Sequence, residues 1–355
     1  AYGEGMIVWG EPMRNILLER GVEPDFTFTG PLQFDEIDFI HRRTRDADIY
    51  FIRNKTEKSV TIQGDFRSDN NPELWNPVSG QRVTAPIYTH AGSRTFVPLQ
   101  LPGHGSLFVV FRDGHGLPHF TSVIRDDLTI YPSAIPSDMM YIPSVTPDGS
   151  LTFQNSGSYQ LLQGDSVLHD LTVDAPQKPL VLSDGWRVTF PESKKGPGRI
   201  QMDSLYSWSL HPDDAVRFFS GIADYERTFY IDKQSGHRVL LDLGQVEKIA
   251  QVIVNDEPVD VIWCEPYSCD ITDVLRSGEN RLRIEVANTW ANRLAGDARL
   301  PRDERITRTN ITRLPNAWSV PMREIPNENY RLPASGLLGP VTVHSRKVKS
   351  LKVGK

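Results

Sequence analysis

Between Asn288 and Glu304 the chain brings an aromatic ring together with amide, guanidinium and carboxylate groups: Asn288, Trp290, Asn292, Arg293, Asp297, Arg302, Asp303 and Glu304. An apolar ring can cover one face of a sugar, and planar polar groups can fork onto its hydroxyls, so this mixture suits carbohydrate recognition. A long loop pinned by its own Asn and Asp side chains would use the same residues. Trp290 follows a strand-like run and is expected to turn into a core, where a buried indole supplies a large apolar area. Asn292, Arg293 and Asp297 are therefore the stronger candidates for a sugar-facing surface. A second group, His41 and Arg43 in His41-Arg42-Arg43, could line a sugar pocket or close a salt bridge at the seam between the N-terminal piece and the first sandwich. Trp75 in Pro72-Glu73-Leu74-Trp75-Asn76-Pro77 could stack on a ring or fill a corner of a core.

Hydrolysis of a glycosidic bond normally takes two carboxyl groups facing each other across it. The acidic pairs Asp213-Asp214, Asp256-Glu257 and Asp303-Glu304 are adjacent in sequence, and neighbours on a strand point to opposite faces. Solvated turns account for them better. No zinc-type Cys/His spacing, phosphate-cradling glycine loop or serine elbow is present. Calcium on Asp and backbone oxygens stays open for a sandwich domain, without EF-hand spacing to support it. Cys264 and Cys269 stand four residues apart; a local disulfide and two reduced thiols both fit.

The chain has 355 residues, 39% of them apolar and 24% charged, which is ordinary globular composition and enough length for two domains. Its formal net charge is −6, and its basic residues are scattered apart from Arg346-Lys347-Val348-Lys349. That argues against nucleic acid, which demands a concentrated basic surface, and leaves sugars open as partners. No apolar run reaches membrane-spanning length, so no membrane partner is expected. The start, Ala1-Tyr2-Gly3-Glu4-Gly5, lacks the charged and apolar regions of a signal peptide and lacks an initiator Met. A periplasmic or secreted location follows if a leader was removed, and a cytoplasmic one otherwise.

The elements that must position these groups read as strands. Gly5 to Gly10 is an apolar strand run, and Met13, Ile16 and Leu17 have helical spacing before Gly21, which sits where a helix C-cap is expected. Residues 1–36 thus read as an α/β remnant of an upstream domain, with Val8, Trp9, Ile16 and Leu17 expected to pack on the first sandwich near His41 and Arg43. Residues 37–180 read as one β-sandwich domain, from runs such as Asp48–Asn54, Ser59–Ile62 and Ser106–Phe111 separated by turn chemistry. Residues 181–345 read as a second, jelly-roll sandwich, from Thr228–Ile231, Arg238–Leu243, Ala250–Val254, Val259–Trp263 and Arg281–Val286, with turns at Asn255-Asp256 and Ser277–Asn280. The fold class is all-β: two antiparallel sandwiches behind a short α/β piece.

Two sets of segments carry a resemblance. Phe39–Arg43, Asp48–Asn54 and Pro72–Pro77 form one. Leu241–Val246, Val252–Asn255, Trp263–Tyr267, Asp270–Thr272, Asn280–Leu282 and Asn288–Arg293 form the other. Together they resemble the C-terminal region of glycoside hydrolase family 106, the α-L-rhamnosidases, and the second set is also similar to the galactose-binding-like jelly roll of sugar hydrolases. The resemblance implies a parent enzyme that removes rhamnose from plant glycans, usually with calcium, and whose catalytic carboxylates lie in an upstream barrel. It implies an accessory role for this chain and a rhamnose- or galactose-containing glycan as partner. A compact glycosidase with carboxylates at the domain interface and a free-standing lectin-like module are the alternatives.

Overall fold

The computed structural model describes residues 7–112, 119–132, 142–146, 149–175, 177–314 and 319–349. The chain forms two compact units, one reaching to Asp174 and the other spanning Ala175–Lys349.

The first unit opens with helix α1 (Met13–Glu19), closed by Gly21 at φ +74°, whose N–H donates to the Leu18 carbonyl. Gly5 and Met6 lie outside the described residues, and residues 7–10 are not in a strand. The expected packing of this piece is corrected: no residue of α1 is buried, and Trp9 is 83% exposed. The reason is that a later residue closes the core. Phe26 of β1 (Phe26–Thr29) is fully buried, with its ring against Phe39 and Phe66.

β1 edges a sheet with β4 (Val60–Phe66), β8 (Arg94–Leu101) and β7 (Thr89–Ala91). The second sheet runs β2 (Ile37–Arg43), β3 (Ala47–Asn54), β9 (Ser106–Arg112), β5 (Asn71–Trp75) and β6 (Arg82–Thr84). Burial alternates along β3 and β8, as the two-residue period of a strand with one face on a core requires. Tyr50 and Ile52 from one sheet meet Ile62, Phe66, Val97 and Leu99 from the other. A further sheet follows, ordered β11 (Leu128–Tyr131), β10 (Ser122–Arg125), β14 (Gly157–Gln163) and β15 (Ser166–Val173), accompanied by a short hairpin of β12 (Ser144–Val145) and β13 (Leu151–Thr152). It has its own core of Phe120, Val123, Tyr131, Tyr159 and Leu161.

The second unit is a sandwich. One sheet is ordered β18 (Gly198–Met202), β17 (Trp186–Phe190), β19 (Ile222–Ile231), β25 (Gly278–Ala287), β22 (Ile249–Val254) and β23 (Glu257–Ile262). Facing it, β27 (Thr342–Lys349) pairs with β20 (His237–Asp242) and β16 (Leu180–Val181), and β20 with β24 (Ser268–Asp270). Trp186, Val188, Tyr225 and Ile284 from the first sheet and Val239, Leu241 and Val343 from the second share one core. β21 (Gln245–Glu247) and β26 (Gly336–Gly339) make a small separate pair. The expected turn at Asn255-Asp256 is present with φ of +53° and +69°, the doubly positive pattern of a tight hairpin. The Asn255 side chain donates to Asn280 Oδ1 at 2.8 Å, tying that hairpin to β25. Cys264 and Cys269 are free thiols, and burial pushes the Cys269 thiol up to about 12. Among the described residues no helix is long and apolar enough to cross a membrane.

Candidate functional site

β25 is followed by a short helix, α2 having preceded it at Asp214–Arg217: the later helix, α3, covers Ala291–Asp297. Asn288 anchors its approach, accepting from Gly221 N at 3.0 Å and donating to the Phe219 carbonyl at 2.9 Å. Gly296 lets α3 lie against Phe218: a Cβ there would come within 2.6 Å of the Phe218 side chain. Leu314, Met322, Ile325 and Leu332 complete a small apolar cluster with Phe218 and Ala295.

The side chains of α3 reverse the expectation. Trp290, expected in the core, is 63% exposed, while Asn292, Arg293 and Asp297 are buried. Trp290 stands at the N-cap of α3, and its exposed ring is not part of the cluster that Ala295 enters. Asn292 donates through Nδ2 to the Pro333 carbonyl and to Ser335 Oγ, both at 3.1 Å. Asp297 Oδ2 accepts from the Thr307 N–H and hydroxyl at 2.6 Å each, and its Oδ1 lies 3.8 Å from Arg293 Nη1. Burial pushes the Arg293 guanidinium down against the opposing pull of Asp297. Asn292 Oδ1, Arg293 Nη2 and Asp297 Oδ1 are buried without a protein hydrogen-bond partner. Such groups are costly unless something satisfies them, and three on one seven-residue helix mark it as a place where a polar ligand or water would be held.

Two adjoining cavities flank this helix and share Leu294, Ile311, Thr312 and Arg313 in their walls. One, of about 530 Å3, is walled by Thr289, Ala291 and Leu314 and is mainly apolar; the two chain neighbours of Trp290 line it, but Trp290 does not. The other, of about 440 Å3, is polar, with Asp297, Arg305, Thr307 and Arg323 on its walls. An apolar wall next to a wall of hydroxyl and guanidinium groups is a pairing that sugar binding uses. Arg302, Asp303 and Glu304 are exposed on the turn beyond. Arg305 and Arg313 stand in irregular chain and Arg323 in a single 3-10 turn, Met322–Glu324, so no period in the sequence marks them.

His41 and Arg43 belong to the other unit. His41 is stacked on Tyr50 with ring centroids 4.1 Å apart, its Nδ1 3.0 Å from Asp25 and its Nε2 2.9 Å from Asp48. Arg43 reaches both Asp48 oxygens, at 2.6 and 3.1 Å. Burial would push the Asp48 carboxyl up, but the hydrogen bonds from Arg43 and His41 outweigh it and hold it below its ordinary value. The folded form therefore favours the ionised carboxylate, which stabilises the fold above the ordinary carboxylate pKa and ceases to do so as pH falls through the lowered one. Arg43→Ala is expected to cost stability at pH 7, with the deficit narrowing as pH drops below the carboxylate range; chemical denaturation at a series of pH values measures it. Trp75 is half-buried with guanidinium groups over its ring, Arg82 at 4.1 Å and Arg112 at 5.1 Å, and its Nε1 on Glu73 at 2.7 Å. In the same unit a smaller cavity of about 230 Å3 is lined by Leu74, Asn76, Gln81 and Gln100.

Among the described residues no three His, Cys, Asp or Glu side chains come together as a metal would require. The acidic pairs sit at element ends: Asp213 caps α2 through Ala215 N, and Asp256 lies in the hairpin turn. One pair not expected from sequence is Asp224 and Glu285, directly opposite across β19 and β25. Burial first, then Glu285, raises the Asp224 carboxyl above its ordinary value.

Residues 1–90 match the alpha-L-rhamnosidase family 106 pattern, and residues 215–323 match the galactose-binding-like domain of glycosyl hydrolase family 2. A Formosa agariphila protein that bears the name of a beta-glucuronidase is 35% identical over 95% of this chain and 44% of its own length. The solved rhamnosidase of a Novosphingobium species is 30% identical, with a TM-score of 0.64 over 94% of this chain and 26% of that one. The chain thus spans less than half the length of each of these relatives. It is glycoside hydrolase-like, rhamnosidase-like in sequence and structure, and all-β with a galactose-binding-like domain.

Proposed function

We propose that this chain is the accessory β-domain portion of an α-L-rhamnosidase-type hydrolase acting on plant-type carbohydrate, and that it holds sugar at α3 while an upstream domain supplies the catalytic acid and base. The observation that carries this reading is the composition of the α3 cleft. It has an apolar wall, with the exposed Trp290 next in the chain to two of its residues, but Asp297 is the one carboxylate among the residues lining its two cavities, and that group is already engaged by Thr307. Two facing carboxyl groups, which hydrolysis calls for, are not assembled there. The alignment of 94% of this chain onto a quarter of a rhamnosidase supports the same division of labour.

A second reading has one observation in its favour. Asp224 and Glu285 are opposed across two strands, and Asp224 is biased toward its neutral form, as a general acid would be. Salt-bridging weighs against it, since Glu285 is held by Arg283 at 2.8 Å. The purified chain is expected to hydrolyse aryl α-L-rhamnosides negligibly. Robust turnover abolished by Asp224→Asn or Glu285→Gln would overturn the accessory reading in favour of a compact glycosidase.

Trp290→Ala tests the sugar-holding part. With the indole 63% exposed, its loss is expected to shift stability by no more than about 0.5 kcal/mol. Affinity for a rhamnose-containing oligosaccharide, read by calorimetric titration, is expected to fall about tenfold, the 1.4 kcal/mol scale of a single aromatic contact. Unchanged affinity, or a collapse in melting temperature, would remove Trp290 from the site.

A further inference from the structure

We propose that the cavity of about 230 Å3 in the first unit is a second carbohydrate subsite, one that takes a single neutral sugar unit carrying a methyl group. It is separate from the α3 cleft and shares with it only the class of ligand, so either site can fail without the other.

Among the described residues that line this cavity, none is charged and none is aromatic. An anionic or cationic ligand would shed water there without meeting a counter-charge. A flat base or aryl ring would find no ring to stack on. What remains is a neutral, saturated ligand with both apolar and hydrogen-bonding faces. The apolar wall is aliphatic. Leu74 of β5 and Val83 of β6 are partners across the two strands, so their side chains share one face. Leu107 and Val145 extend that wall. Leu74 and Leu107 also pack on the core of the first sandwich, which holds the wall in place.

The polar groups available to a ligand are amides. The two hydroxyls in the lining are engaged: Ser144 Oγ accepts from Gln154 at 2.8 Å, and Thr146 Oγ1 donates to the Ser150 carbonyl at 2.9 Å. Gln100 Nε2 donates to the Ile142 carbonyl at 3.2 Å, which fixes that amide. Asn76 Oδ1 accepts from the Val78 and Ser79 N–H groups at 2.8 and 3.1 Å, closing its turn and leaving Nδ2 as a donor. The Gln81 side chain is exposed and has no hydrogen-bond partner among the described residues. An amide offers both donors and an acceptor, as a row of sugar hydroxyls requires. The volume is below the roughly 300–1,000 Å3 of sites for drug-sized ligands, which suits one ring and not an oligosaccharide. With its hydroxyls on the amides, such a ring turns a substituent to Leu74, Val83 and Leu107. A methyl group is buried there favourably, whereas a hydroxymethyl group sets an oxygen against carbon. Neutral sugar units carry such a methyl either at a 6-deoxy position or in an acetamido group.

The test is an NMR titration of the whole chain, with affinities read at the side-chain amide signals of Gln81 and Gln100, each assigned by substitution. Two matched pairs of probes are used. Methyl α-L-rhamnoside is set against methyl α-L-mannoside, which adds one hydroxyl at C6, and methyl N-acetyl-β-D-glucosaminide against methyl β-D-glucoside, which lacks the acetamido group. In at least one pair the methyl-bearing sugar is expected to bind about tenfold more tightly than its partner, and the pair with the larger gap identifies the source of the methyl group. Gln81→Ala is expected to weaken that binding about fivefold, read at Gln100, as the loss of one hydrogen bond would. Gln81 is exposed, so this variant is expected to keep its melting temperature. Trp290→Ala is expected to leave the Gln81 and Gln100 shifts as they are. Signals that do not move with any sugar, equal affinity within both pairs, no effect of Gln81→Ala, or shifts that vanish in Trp290→Ala would each overturn this subsite. Sugar binding that responds to Trp290→Ala and spares these two amides leaves the α3 reading standing alone.

Discussion

Asp297→Ala is expected to lower the melting temperature of the second unit by about 6–20 °C. Asp297 and Arg293 are 2% and 7% exposed, and both were selected from the sequence as surface groups. Removing one partner of a buried ion pair costs about 3–5 kcal/mol, because the other charge is left in a poor dielectric. One kcal/mol moves the midpoint by about 2–4 °C at this domain size. The separation of 3.8 Å is long for a direct hydrogen bond, so much of the loss would come from the stranded guanidinium and from Thr307, whose N–H and hydroxyl both donate to Asp297. Asp297→Asn keeps an acceptor for Thr307 and is expected to recover only part of the loss. The double variant Arg293→Met/Asp297→Leu removes both charges at similar volume and is expected to be more stable than Asp297→Ala alone, since apolar replacement of a buried pair is often neutral or favourable. A single variant that melts within a degree of the parent would show that the pair contributes nothing to the fold.

Much of the fold is visible in the sequence because strands with one face on a core have a two-residue period. Arg281–Val286 shows it, and those residues lie in β25, with Leu282, Ile284 and Val286 inward. The Asn255-Asp256 turn is legible because few side chains tolerate positive φ. From the sequence α3 is as easily taken for a loop. Its seven residues include Gly296 and carry no side-chain cap, although Ala291, Leu294 and Ala295 have helical spacing. What makes it a helix is tertiary: Gly296 permits an approach to Phe218, 78 residues earlier by subtraction of the two residue numbers, that any side chain would block. The same distance in sequence hid the roles of Asn292 and Asp297, whose partners Ser335 and Thr307 are not neighbours in any periodic sense. Residue types suited to sugar can be picked out of the sequence as a group, but which of them face solvent depends on how the chain enters α3. That is set by Asn288 and the strand end at Ala287. The arginines of the polar cavity escaped notice because only a fold can bring residues 305, 313 and 323 to one wall.

Tyr225→Phe is expected to destabilise the second unit by about 2–6 kcal/mol while removing a single oxygen atom. That oxygen lies in the fully buried core and accepts from the Leu337 N–H at 3.2 Å and from Trp208 Nε1. Burial raises the phenol far above its ordinary pKa, so it stays neutral and able to serve both donors at any physiological pH. Phenylalanine fills the same space but leaves two buried donors unpaired, each costing about 1–3 kcal/mol. The damage should travel to the sugar-facing helix. The Trp208 N–H donates to the Ser335 carbonyl at 2.9 Å, the Ser335 N–H to Ser207 Oγ at 3.0 Å, and Ser335 Oγ receives Asn292. Gly336 sits in this chain at φ +95°, where a Cβ would come within 2.5 Å of Trp208 Nε1, so the segment has little room to adjust. Tyr225→Phe is therefore expected to lower both the denaturation midpoint and the affinity for sugar, whereas Trp290→Ala lowers affinity alone. Hydrogen exchange at the Leu337 amide separates this route from a general loss of stability. Its protection should fall more than that of amides in β20, on the opposite sheet. Equal loss in both places would mean that the hydroxyl supports the core as a whole and has no particular connection to α3.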